Sequence, residues 1–219
     1  MADPSAERGR EALRAAGALR PFPAGRHLIN AGEHSDEVLL LESGLVKVVL
    51  PTVREREPIT GLFGRGDLLG ELGVTGAAPR SAHVIALVAG SAWHVAGSRF
   101  VVLRAANPDV QRLVDHTWRE RQRAADELQL SLVSPVPARV AACLLRWART
   151  FGEDTGGGLE LRGVSQDELS QAVAASVKSV QEVLRALRAE GLLHTGRLRF
   201  RLPDPDGMCQ FIANADRRN

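Results

Sequence analysis

The hydrophobic period of this chain changes once, near Gly97, and that change limits the folds open to it. From Pro21 onward, apolar residues come in short runs broken by turn residues: HLIN, then AGEHSDE, then VLLLESGLVKVVL. Ser43-Gly44 divides the last run into two strand-length pieces, as a hairpin would. Residues 58–62 form another such run, closed by the turn Gly64-Arg65-Gly66-Asp67. Residues 82–88 and 92–95 form two more, joined at Gly90-Ser91. Many short strands at this spacing predict an all-β sandwich or barrel. The first 20 residues, with Leu13 and Leu19 among alanines, predict a short helix ahead of it.

Beyond Gly97 the period is helical. Asn107-Pro108-Asp109 opens a stretch with no further glycine or proline until Pro135, and proline costs nothing in a first helical turn. Val110, Val114, Thr117, Ala124, Leu128 and Leu132 recur mostly three or four apart, with Arg121 interrupting the stripe. About 25 helical residues span roughly 37 Å. So long a stripe needs a second surface, either a partner helix in a dimer seam or its own β domain. Ser134-Pro135-Val136-Pro137 ends the helix. A second domain then begins, with a helical pattern over residues 139–151 and a flexible turn at Gly156-Gly157-Gly158.

Residues 164–202 are the most legible part of the chain. Ser165-Gln166-Asp167-Glu168 has the form of a capping box. The break at Ala174-Ala175 precedes Ser176, a second N-cap. Val177, Val180, Val183, Leu184 and Leu187 give the second helix an inner stripe. Two short helices joined by a tight turn predict a helix-turn-helix. The outer residues of the second helix are then Ser176, Lys178, Ser179, Gln181, Glu182 and Arg185, side chains able to meet base edges in a major groove. The alternative is a solvated face of an ordinary amphipathic helix. A hairpin follows, turning at Gly196-Arg197, and Arg185, Arg197, Arg199 and Arg201 are candidate phosphate contacts. The tail from Pro203 is expected to be loosely held.

Composition narrows the rest. Residues 1–138 carry 16 basic and 16 acidic side chains, whereas residues 139–201 carry 10 and 7. That mild excess permits nucleic-acid binding without arguing for it. The N-terminal MADPSAERGREALRAAG lacks an apolar segment of signal-peptide type, and no run approaches 18 uninterrupted apolar residues. A soluble cytoplasmic protein, with no membrane association, is the expectation. Cys143 and Cys209 cannot staple the fold or form a thiolate metal site by themselves. No P-loop, G-x-S-x-G or H-E-x-x-H motif occurs, and His116 with Glu120 reads as a solvated helix pair. No enzyme is expected, and so no catalytic residue.

The run Gly66-Asp67-Leu68-Leu69-Gly70-Glu71-Leu72, followed by Pro79-Arg80-Ser81-Ala82, resembles the phosphate-binding cassette of cyclic-nucleotide-binding domains. Gly32, Gly44 and Gly66 fall where that β-roll family places its turns, and the long helix, the proline hinge and the helix-turn-helix follow in family order. The chain therefore resembles the CRP/FNR family of bacterial transcription regulators over residues 22–202. The resemblance implies that Arg80 and Ser81 meet a cyclic phosphate, that Glu71 accepts from a ribose 2′-hydroxyl, that Gly70 lets the backbone approach the sugar, and that Leu72 walls the pocket. The Thr–Ser pair with which cAMP-binding relatives meet adenine has no counterpart, since Ala124, Ala125 or Asp126 falls there. Arg121 is a further candidate for reaching the ligand or Glu71. The recognition helix also departs from the family's Ser-Arg-Glu pattern, having Ser176-Val177-Lys178 with Glu182 at the later position. Alanine stands at position 174, where the family's turn has glycine. Residues 1–142 lack cysteine and the histidines are scattered, so no metal, haem or iron–sulfur cluster is expected.

These readings combine into an α+β chain. A β-roll with an N-terminal helix is expected over residues 1–106, a long dimerisation helix over 107–133, and a winged helix-turn-helix over 134–219. The implied function is a homodimeric regulator that binds double-stranded DNA at a palindromic operator, works with RNA polymerase, and is gated by a cyclic nucleotide, cAMP or cGMP. The alternative keeps the DNA-binding module and makes the roll purely structural.

Overall fold

The computed structural model describes residues 4–34, 36–52, 58–76 and 79–217. It forms two compact units, one running to Ala125 and one from Asp126 onward. The class is mixed α+β, as the change of period predicts.

In the first unit, α1 (Pro4–Ala16) leads into β1 (Ala18–Phe22), β2 (His27–Ile29), β3 (Glu37–Val49), β4 (Ile59–Phe63) and β5 (Leu68–Leu69). There follow α2 (Glu71–Gly76), β6 (His83–Ala96), α3 (Gly97–Ala106) and α4 (Pro108–Ser131). The strands make one sheet in the order β1-β6-β3-β4, with β2 against β6 and β5 against β3. Its spine is the antiparallel pair β3–β6, running from Glu37 opposite Ala96 to Val49 opposite His83.

The hairpin expected at Ser43-Gly44 does not exist, and the two short strands expected on either side of Gly90-Ser91 are one. Ser43-Gly44 and Gly90-Ser91 lie mid-strand, opposite one another, where the register shifts. Gly44 has φ +89°, and a Cβ on Gly90 would collide with the Ser43 carbonyl oxygen. Glycine serves here to bend two paired strands together rather than to reverse one.

Period 2 along β3 sorts its side chains into two cores. Val38 and Leu40 pack with Leu68, Val95 and the helical residues Leu13, Phe100, Val110, Leu113 and Val114. Leu39 and Leu41 face the other way, toward Phe22, Ile29, Val46, Leu69, Val84 and Ala86. The unbroken run VLLL is thus a strand buried on both faces. Asn107 caps α4, its Oδ1 accepting from the Asp109 amide at 2.9 Å. Gly9 lets α1 lie against the start of α4, since a Cβ there would meet the Asp109 carbonyl oxygen at 2.6 Å.

The second unit holds α5 (Val136–Phe151), β7 (Glu153–Asp154), β8 (Leu159–Arg162), α6 (Gln166–Ala172), α7 (Val177–Ala189), β9 (His194–Gly196), β10 (Arg199–Leu202) and α8 (Pro205–Arg217). Its sheet runs β7-β8-β10-β9. The capping box at Ser165 is complete, with Glu168 donating its amide to Ser165 Oγ at 3.1 Å and the Ser165 amide reaching Glu168 Oε2 at 2.7 Å.

The tail is not loose. Asp204 Oδ1 accepts from the amides of Asp206 and Gly207, Pro205 occupies the first turn of α8, and Met208 is fully buried. The signal, a capping aspartate followed by proline, stands in the sequence.

Ala174, in the turn between α6 and α7, has φ +49°, a region that costs a Cβ-bearing residue about 1 kcal/mol. Ala174→Gly should therefore raise stability by about 1 kcal/mol, read as a higher thermal midpoint. An unchanged or lower midpoint would mean that the turn relaxes the strain elsewhere.

Candidate functional site

The turn before the cassette is tied to the spine strand. Gly66, with φ +86°, donates its amide to the Leu41 carbonyl at 2.8 Å, and the Leu41 amide returns a bond to the Asp67 carbonyl at 2.9 Å. Asp67 Oδ2 accepts from the Gly64 amide at 2.8 Å. After β5, Gly70 turns the chain with φ +83° into α2, whose first residue is Glu71.

Glu71 is completely buried. Its Oε1 accepts from Arg121 Nη1 at 2.5 Å and from Trp118 Nε1 at 3.1 Å, both side chains of α4. Arg121 Nη2 also donates to the Leu68 carbonyl, and its guanidinium carbon lies 5.3 Å from the centre of the Phe63 ring. Glu71 Oε2 has no hydrogen-bond partner among the described residues.

Arg80 is also buried. Its Nη1 donates to the Gly70 carbonyl and its Nη2 to the Glu37 carbonyl at 2.5 Å. Its backbone is pinned as well, the amide to the Glu33 carbonyl at 2.9 Å and the carbonyl to the Gly32 amide at 2.8 Å. Burial pulls the Arg80 pKa down from its usual value, while the nearby carboxylates of Glu71, Asp36 and Glu37 oppose that shift. A Cβ at Gly70 or at Gly73 would stand 2.8 Å from Arg80 Nη1. Glycine at these two positions is what makes room for the guanidinium.

Gly70, Glu71, Arg80 and Arg121 are thus brought together. Ser81 is exposed beside Arg80, and Leu72 is 52% exposed rather than enclosed. Ala124 and Ala125 lie exposed on α4, about one turn beyond Arg121. Glu71's close cationic partner is Arg121. Residue types and spacing miss two participants, the Glu37 carbonyl and Trp118. A signal for Trp118 exists, since it stands three residues before Arg121 and so on the same helix face.

In the second unit, Ser176 caps α7 by accepting from the Ser179 amide at 3.0 Å. Val180, Val183, Leu184 and Leu187 are buried, while Ser176, Lys178, Gln181, Glu182 and Arg185 lie toward solvent and Ser179 stands beside the cap. Arg188 Nη1 donates to Thr195 Oγ1 at 2.9 Å, tying the helix to the wing strand β9. Arg197 is exposed at the wing turn. Arg199 lies opposite Arg162 across the β10–β8 pair. The two share buried Glu160, at 3.8 Å from Arg199 and 2.6 Å from Arg162. Arg201 departs from the expectation of a phosphate contact, because its Nε and Nη2 donate to the Gly157 carbonyl at 3.2 and 3.0 Å. Glycine at 157 permits that approach, since a Cβ there would collide with Arg201 Nη2.

Burial raises the Asp67 pKa above its usual 3.8, against the opposing pulls of the Gly64 amide, Arg121 and Arg10. A carboxyl whose folded-state pKa is raised contributes stability at low pH and loses that contribution as pH rises through it. Asp67→Asn keeps an acceptor for the Gly64 amide without the buried charge. The variant should melt above wild type at pH 7, with the difference vanishing below about pH 4. Equal midpoints at pH 7 would show that Arg121 and Arg10 fully offset the desolvation.

Among the described residues no helix is long and apolar enough to cross a membrane. None of their His, Cys, Asp and Glu side chains form a group of three that could hold a metal ion. A family model described as the cyclic nucleotide-binding domain matches residues 19–107, and one described as the Crp-like helix-turn-helix domain matches residues 138–211. The CRP-like cAMP-activated global transcriptional regulator of Mycobacterium tuberculosis is 28% identical over 198 residues, covering 90% of this chain and 84% of that protein. A CRP-family transcriptional regulator from Thermus thermophilus, of known structure, is 26% identical with a TM-score of 0.76, covering 90% of this chain and 98% of that one. The c-di-GMP responsive global regulator CLP of Xanthomonas campestris shares the fold with a TM-score of 0.75 at 22% identity, over 90% and 99% of the two chains. With the cassette's geometry in one unit and a capped helix-turn-helix in the other, these matches place the chain in the CRP/FNR family, as a DNA-binding, CRP-like transcription regulator carrying a cyclic nucleotide-binding domain.

Proposed function

We propose that the chain acts as a cytoplasmic homodimer whose affinity for an operator is set by a small anionic ligand in the first unit, with a cyclic nucleotide, cAMP or cGMP, as the ligand class. The observation that carries this reading is Glu71 Oε2, a buried carboxylate oxygen with no hydrogen-bond partner among the described residues. Such an atom costs free energy unless something donates to it. A ribose hydroxyl is a suitable donor, and Arg80 with the exposed Ser81 hydroxyl suits a phosphodiester charge. With alanines at 124 and 125, the base has no hydroxyl on that turn of α4 to bind. The M. tuberculosis relative is cAMP-activated by name, and the Xanthomonas regulator responds to c-di-GMP. The chemistry shared by these ligands is a phosphodiester next to a ribose.

Dimerisation rests on a separate observation. Leu130, Leu132 and Val133, at and just beyond the end of α4, are 71%, 48% and 81% exposed. A second copy would cover them, and two recognition helices would then read the two halves of a palindromic site. Lys178, Ser179, Gln181 and Glu182 would meet bases, while Arg185, Arg197 and Arg199 would hold phosphates. RNA polymerase is the partner through which such a regulator acts, and no catalytic step is assigned to the chain.

A second reading is favoured by a specific contact. Arg80 spends donors on the Gly70 and Glu37 carbonyls, and Arg121 already neutralises Glu71. On that reading the roll is a structural element, and DNA binding is independent of ligand.

Calorimetric titration with cAMP and cGMP, on wild type and on Arg80→Leu with its fold verified by melting, separates the two. Saturable heat that the variant loses supports the sensor. No heat and no thermal shift in wild type supports the structural roll. DNA affinity, measured by anisotropy on fragments selected from a random pool, should fall steeply with salt. Arg185→Ala should reduce the slope of log K against log salt by about one. Leu130→Asp should shift the sedimenting species from dimer to monomer, and a dimer that persists would remove α4 from the seam.

A further inference from the structure

Trp118 has a role that neither the cassette residues nor the helix pattern assigns. Its indole nitrogen donates to Glu71 Oε1 at 3.1 Å, and Arg121, one turn further along α4, donates to the same oxygen. Both protein donors converge on Oε1, leaving Oε2 open among the described residues. The tryptophan is itself held on other sides. The Arg104 guanidinium carbon lies 4.8 Å from the centre of its ring, and Arg104 Nε is fixed by Gln111 Oε1 at 2.9 Å. The ring also packs against the core formed by Val38, Leu40, Leu113 and Val114.

One bond from Arg121 would leave the carboxylate free to swing about the shared oxygen. A second donor at the same oxygen, carried on a ring with few side-chain torsions, removes that freedom. The indole has one donor and no acceptor, and that donor is given to Glu71, so it has nothing left with which to bind a ligand hydroxyl itself. We infer that Trp118 is a positioning residue of the ligand site: it clamps Glu71 through Oε1 so that Oε2 is presented as a single fixed acceptor for a hydroxyl on the anionic ligand. This rests on the ligand-binding reading above. It predicts that selectivity for a sugar hydroxyl depends on a residue that does not touch the sugar.

The test compares cAMP and cGMP with their 2′-deoxy counterparts by calorimetry on the full chain. Wild type should bind the preferred ribonucleotide at least about 10-fold tighter than the 2′-deoxy form, the scale of one hydrogen bond to a charged group. Trp118→Phe keeps the ring and the stack under Arg104 but removes the N–H. It should bring the ratio down to about 2-fold or less while affinity for the 2′-deoxy ligand barely moves. Trp118→His, which retains a ring N–H, should recover part of the ratio.

A ratio unchanged in Trp118→Phe overturns this proposal alone and reduces Trp118 to packing. A wild type that binds neither form overturns the ligand reading and this proposal together. The indole N–H resonance of Trp118 in the wild-type chain gives a measure independent of any variant's folding. It should shift on adding the ribonucleotide and stay in place with the 2′-deoxy form. A resonance indifferent to both overturns the proposal.

Discussion

The first unit depends on one buried carboxylate. Glu71 sits at the start of a six-residue helix with no solvent access. Taking a carboxylate out of water costs several kcal/mol unless it is paired and hydrogen-bonded. The compensation comes from α4, through Arg121 and Trp118. The cassette and the long helix are therefore not independent pieces. The helix carries the counter-charge that lets the cassette close, and the cassette fixes where along the helix that charge must stand. An arginine that interrupts an otherwise apolar stripe is the sequence trace of this requirement.

Much of this was legible because local chemistry and global fold agree. The caps at Ser165 and Ser176, the tight turn at Ala174 and the wing turn after Gly196 can be read directly from residue types and spacing. What misleads is glycine. Ser43-Gly44 and Gly90-Ser91 look like breaks between strands in one dimension, and only their pairing across β3 and β6 reveals a shared bend. Long-range pairing leaves no local mark. The α8 helix escapes a sequence reading for the opposite reason: its signal, Asp204-Pro205, is present but sits in a segment that reads as a tail. In the site, Gly70, Glu71, Arg80 and Arg121 converge, whereas the distribution of donors among them does not follow from sequence. Which carbonyl a buried guanidinium reaches is decided by backbone positions that spacing does not encode.

The second unit shows how a mildly basic domain organises its charge. Two arginines opposed across a strand pair would repel, and Glu160, buried beneath them, turns the repulsion into a shared bridge. Arg201 is withdrawn onto the Gly157 carbonyl and Arg188 onto Thr195, so these cations stiffen the wing and its link to α7. Arg185 and Arg197 remain exposed. The net charge of the segment thus overstates what it offers to a phosphate backbone.

The opposed bend in the spine carries an evolutionary consequence. A side chain at Gly90 would strike the Ser43 carbonyl, and one at Gly44 would press on the Val88 carbonyl at 2.9 Å while forcing a left-handed backbone. Each position is closed by the main chain of the other strand, which no nearby side-chain change can relieve. The two sites are thus epistatic through backbone alone: drift at one is barred while the other strand keeps its path, and an escape would require both strands to change register in a single step. This part of the roll should change slowly among descendants of this chain, whatever becomes of the residues around Glu71.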